Sequence, residues 1–169
     1  MPKPLRSRLV FRFAAAAMAC GLACESYATA PSLDAAAARR MVDACVAHAR
    51  SKGQSQAIAV VDEGGHLVAL LRMDGNAPGV TEFAIQKAVA VAYWHFPTAE
   101  MENAAKATPG FRDAPRVVTV AGGVPVFAGD GQQFIGAVGV SGEAPSDDAD
   151  CARAGIEAAG LLAARKPMQ

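Results

Sequence analysis

The stretch that most constrains this chain is a helix with no polar side, roughly Thr81 to His95. At helical spacing Phe83, Val91 and Trp94 share one stripe, while Ile85, Val89, Ala92 and Phe96 form a second. A surface helix carries a single apolar stripe, and a helix apolar nearly all round is buried. Its only charges are Glu82, in the first turn, and Lys87. One sheet covers one face of such a helix. The other face must meet a second element, another subunit or a flat apolar ligand.

The surrounding chain supplies that sheet. Ala57 to Val61 is a strand-like run, apolar on both sides, and Asp62-Glu63-Gly64-Gly65 has the residues of a tight reversal. His66 to Asp74 then returns, giving a β-hairpin. Asn76, Pro78 and Gly79 break the extended pattern before the apolar helix, and Pro97 stops it. Upstream, Ser32 caps a helix that runs to about Ser51, with Gly53 as its stop. Downstream, Thr98 caps a short helix to about Ala107, and strands are expected at Arg116–Ala121, Val124–Ala128 and Phe134–Ser141. A last helix starts at Ser146, where Asp147, Asp148 and Asp150 meet the positive end of its dipole. Hairpins and helices in this order argue for an antiparallel sheet with helices packed on it, an α+β fold.

The first 28 residues have a different character. Lys3, Arg6, Arg8 and Arg12 form a positive n-region, Ala14 to Ala23 is a short apolar core, and Ser26-Tyr27-Ala28 suits a signal peptidase. The expected organisation is a signal peptide over 1–28 and a single domain over 29–169, exported to the periplasm. The apolar run falls short of the ~20 residues that span a bilayer, so no transmembrane segment is expected. The whole chain balances 16 basic against 16 acidic residues; losing four basic ones and Glu25 leaves 12 against 15, a net of −3. Nothing resembles the basic stripe that nucleic acid requires.

Motifs for hydrolytic, phosphate or zinc chemistry fail on inspection. Gly139-Val140-Ser141-Gly142 is followed by Glu143 where a nucleophile elbow needs its last glycine. Gly64-Gly65 and Gly122-Gly123 lack the strand-to-helix context and the lysine of a phosphate loop. His48, His66 and His95 never stand in metal-ligand spacing, and no catalytic set is assigned. Cys45 and Cys151 lie on the apolar faces of the first and last helices, as either a disulfide or two buried thiols. Lys87, in line with Phe83 and Val91, either covers apolar surface with its stem or meets a carboxylate on an apolar ligand. His66 shares a strand face with Val68, Leu70 and Arg72. His95 closes the apolar helix beside Tyr93 and Trp94.

Several blocks, in order, resemble the GlcG/HbpS-like haem-binding family: AIAVVDEGGHLVALLRMDG, the QKAVAVA helix followed by Pro97-Thr98, AGGVPV, GAVGVSG and DADCARAGIEAAG. The resemblance spans about Ser32 to Leu162. It implies a profilin-like α/β/α sandwich, with a five-stranded antiparallel sheet between helices, assembled as a homo-oligomer. It also implies haem, or another planar tetrapyrrole, as ligand. The site residues expected are His66 and His95 toward the iron, with Tyr93 behind them, and Lys87 or Arg72 toward the propionates. Trp94 belongs to the same apolar groove. The functional expectation is an exported haem-binding protein in haem or iron handling. The alternatives are an accessory enzyme, haem-degrading or oxidoreductive, and a non-catalytic partner-binding oligomer.

Overall fold

The computed structural model describes residues 31–167, so the expected signal peptide lies outside the described residues. The elements are α1 (Ala35–Ser51), β1 (Ala57–Asp62), β2 (Leu67–Arg72), α2 (Pro78–Trp94), α3 (Thr98–Ala107), β3 (Gly123–Phe127), β4 (Phe134–Ser141) and α4 (Pro145–Ala158). A 3₁₀ turn, Pro109–Asp113, follows α3. The strands form one antiparallel sheet in the order β2-β1-β4-β3.

The alternation of side chains along the strands separates two cores. Ile58, Val60, Val124, Val126, Val138 and Val140 face α1 and α4. Ala57, Ala59, Val61, Phe127, Phe134 and Ala137 face α2, meeting Ala84, Ala88 and Val91. The result is three layers, α/β/α, with the continuously apolar β1 and β4 buried on both faces.

Element boundaries differ from the sequence expectation for local reasons. Asp34, not Ser32, caps α1, its carboxylate accepting from the Ala37 amide at 2.6 Å. α2 begins three residues early, because Pro78 occupies a first-turn position where no amide hydrogen is needed. Thr98 does not cap α3; its hydroxyl accepts from the Gly123 amide at 2.9 Å and so joins α3 to β3.

Four strands are present among the described residues, not five. Arg116 to Ala121 is irregular. Pro115 has no amide hydrogen and Arg116 stands at φ 59°, so the chain turns there instead of joining the sheet. Val117 and Val118 then line an apolar recess of about 230 Å³ with Ile85 and Val89 of α2. Nearby, Trp94 donates to the Pro115 carbonyl at 3.0 Å and stands edge-on to Phe111, 5.0 Å between centroids. The second apolar face of α2 is thus partly closed by its own chain. Tyr93, Leu67 and Leu70 stay exposed.

Cys45 and Cys151 form a disulfide between α1 and α4, with Cα atoms 4.8 Å apart and both residues fully buried. The bridge links positions 106 residues apart in sequence. Closing a loop of that length restricts the unfolded chain by about 4–5 kcal/mol in the loop-entropy account. Replacing both cysteines by serine should lower the unfolding free energy by about 3–5 kcal/mol, measured by urea denaturation against the oxidised parent. An unchanged midpoint would show that the bridge contributes nothing to stability.

Candidate functional site

The antiparallel register brings four strand ends together. Asp62 closes β1 opposite Gly136, Leu67 opens β2 opposite Val61, and Phe127 closes β3 opposite Phe134. The C-terminus of α2 arrives at the same end, where the His95 ring stacks on Phe134 with centroids 4.3 Å apart. The β1–β2 turn also leans on this part of α2: a Cβ at Gly65 would lie 3.7 Å from the Ala92 Cβ. Two histidines far apart in sequence therefore flank one end of the sandwich.

Each is held by a local device. His95 is the C-terminal cap of α2 in a left-handed conformation, φ 62°, with its amide donating to Val91 at 2.7 Å. Glycine normally takes that position, and a side chain there costs about 1 kcal/mol or more, a cost that recurs at binding sites. The ring of His95 is solvent-exposed on its outer side. His66 is exposed in the turn, its Nδ1 3.3 Å from the Asp62 carboxylate. Asp62 also accepts from the Gly64 and His66 amides, each at 2.9 Å. Partial burial would raise its carboxyl, but these hydrogen bonds and the His66 charge outweigh that and hold it below the ordinary carboxylate range. Through this contact the Asp62 carboxylate orients the His66 ring, as second partners do behind ligating histidines.

Beside His95 a cleft of about 370 Å³ opens, lined among others by Pro97, Glu100, Pro125, Phe127 and Arg165. It combines an imidazole, an aromatic wall and one cation. Among the described residues, no group of three His, Cys, Asp or Glu side chains could hold a bare metal ion.

The other expected site residues are elsewhere. Arg72 is exposed at the opposite end of the sheet, paired with Ala57. Trp94 is committed to the cluster with Phe96 and Phe111. Tyr93 stands on the outer face of α2, 58% exposed. Lys87 is a correction to the expectation of a propionate-binding cation. It is 1% exposed, donates to Val140 O and Asp148 Oδ2, both at 2.9 Å, and lies 4.9 Å from the Phe83 ring centroid. Asp148 also accepts from Gln56 Nε2 at 3.2 Å and the Glu143 amide at 3.1 Å. Burial pushes the ammonium of Lys87 down and the carboxyl of Asp148 up, while their mutual hydrogen bond and attraction favour the charged pair. A helix stripe placed Lys87 toward the core but could not reveal its partner, which lies 61 residues away.

A sandwich with α1 and α4 on one face of an antiparallel sheet and α2 on the other, with His66 and His95 at one end, defines a three-layer α+β class. The sequence model of the HbpS-like family, described as haem degrading protein HbpS-like, matches residues 33–157, and this chain belongs to that family. Protein GlcG of Escherichia coli (strain K12) is 41% identical over 110 residues, 61% of this chain and 79% of that protein. The crystal structure of HbpS superposes with a TM-score of 0.68 at 31% identity, covering 77% of this chain and 92% of that one. A crystal structure of a PduOC:heme complex shares the fold, with a TM-score of 0.71 at 23% identity over 79% of this chain and 99% of that one.

Removing one partner of the buried pair leaves the other charge unpaired in the core. Lys87→Met should cost about 3–5 kcal/mol in chemical denaturation. Adding Asp148→Asn should recover part of that loss, since a neutral amide still accepts from the Glu143 amide. A double variant less stable than Lys87→Met would show that charge burial is not the cause.

Proposed function

We propose that this chain binds haem at the end of the sandwich that carries His66 and His95, and works in haem or iron handling. The observation that carries this reading is His95: a histidine held in a left-handed cap, stacked on Phe134, at the mouth of a cleft walled by Pro97, Pro125 and Phe127. The family's description as haem degrading and the existence of a haem complex in a protein of the same fold support it.

The residues fit the group in kind. Haem iron accepts imidazole, and the porphyrin face accepts aromatic and aliphatic walls. His95 is the iron-facing candidate and His66, oriented by Asp62, the second; Phe127 and Pro125 are the apolar walls. Neither Lys87, enclosed in the core, nor Arg72, at the far end, fits the propionates. When bound, haem would supply the iron-centred ligand and redox chemistry. The chain contributes orientation, desolvation and an axial nitrogen.

A cleft of about 370 Å³ is at the small end of ligand cavities and takes one edge of a tetrapyrrole. The exposed Leu67, Leu70 and Tyr93 offer apolar surface to a second copy of the chain, which supports an oligomer as the working form. The buried disulfide supports export to an oxidising compartment, the periplasm, after removal of 1–28. Turnover of the bound haem is the second reading, favoured by the family description. It requires loss of the Soret band with a defined product when reductant is added.

Titrating hemin into the purified chain should give a saturable, imidazole-type Soret band, from a particle larger than one chain by light scattering. His95→Ala should abolish that band and His66→Ala should leave it in place. A monomer would end the oligomer proposal. Absence of saturable binding, or no change with either substitution, would end the site proposal.

A further inference from the structure

The residues matched by the family end at 157, and the chain beyond α4 returns along the β3 edge of the sheet. Leu162 pairs antiparallel with Phe127: its amide donates to the Phe127 carbonyl at 3.1 Å, and the Phe127 amide donates to the Leu162 carbonyl at 2.8 Å. Four residues later the Lys166 amide donates to Gly131 at 2.9 Å, and Gln132 Nε2 donates to the Lys166 carbonyl at 3.1 Å. Gly131, at φ +76°, lies against the Lys166 side chain, where a Cβ would come within 2.6 Å of its Cγ. These two anchors make a strap that covers part of the β3 edge.

Between the anchors, Ala163, Ala164 and Arg165 form one wall of the His95 cleft. Arg165 is the cation of that cleft, with Cζ 5.6 Å from the Phe127 ring centroid. It belongs to none of the ion pairs found among the described residues. Glu100 is the other charge in the lining.

We infer that the strap is the wall that reads acidic groups: Arg165 receives a carboxylate carried by an otherwise apolar planar ligand. This rests on the haem reading above and assigns to Arg165 the role that Lys87 and Arg72 cannot fill from their positions. A guanidinium offers two parallel donors to a carboxylate, and anchoring the backbone on both sides reduces the freedom lost on binding.

The test compares hemin with its dimethyl ester, which lacks the two carboxylates, on the full chain and on Arg165→Ala and Arg165→Lys. Arg165 is exposed, so neither substitution disturbs the core. Arg165→Ala should weaken hemin about tenfold or more while leaving ester affinity and the Soret position unchanged, as expected for losing a charge-assisted hydrogen bond. Arg165→Lys should recover only part of the loss, since it keeps the charge and not the fork. Unchanged hemin affinity in Arg165→Ala, or an equal loss for the ester, overturns the strap assignment and leaves the haem reading standing. If the unsubstituted chain binds no hemin saturably, the haem reading fails and this assignment fails with it.

Discussion

The buried contact between Lys87 and Asp148 joins two helices that lie on opposite faces of the sheet. Lys87 belongs to α2 and Asp148 to the first turn of α4, and the lysine reaches its partner past the Val140 carbonyl of β4. That passage exists because residue 122 has no side chain. A Cβ at Gly122 would lie 2.7 Å from the Lys87 ammonium and 3.0 Å from the Asp148 Cβ, and the φ of +126° suits only glycine. Two charges in the core are stable only when paired and hydrogen-bonded, and here Gln56 and the Glu143 amide complete the carboxylate's partners. The pair ties α2 to α4 through directional hydrogen bonds, whereas apolar contacts are non-directional.

With the layers set, the two ends of the sheet differ in character. The end holding Gly122, Ser141 and Asp148 turns polar groups inward, where Asp148 gathers Lys87, Gln56 and the Glu143 amide, and of this set only Gln56 Oε1 lacks a partner among the described residues. The opposite end leaves its polar groups facing outward, with His66 braced by Asp62 and His95 lying on Phe134. The proposed haem site lies at the second end, where an imidazole with an open face can still take a ligand. An ammonium already bonded to a carboxylate and a carbonyl cannot.

The disulfide and the C-terminal strap act on the periphery of this frame. Cys45–Cys151 fastens α1 to α4 on the face of the sheet opposite α2. The strap gives β3 a partner at Phe127 and gives the cleft its cation, both through backbone hydrogen bonds that few side-chain changes would disturb.

Local pattern in the sequence determined the helix with no polar side, the first hairpin, strand Phe134–Ser141 and the α+β order, because period and turn residues act over a few positions. It also marked His66 and His95 as candidates and carried the family resemblance. Tertiary structure decided the rest. Strand-like residues at Arg116–Ala121 turn at Pro115 and Arg116 and lay valines beside Ile85 and Val89 of α2, so the sheet has four strands. Lys87 became a core ion pair, and Arg72 went to the far end, because partner choice depends on contacts 53 to 61 residues apart for the first and on strand direction for the second. Arg165 carried no signal in the sequence: an arginine near a chain end gains meaning only from the strap that places it over Phe127.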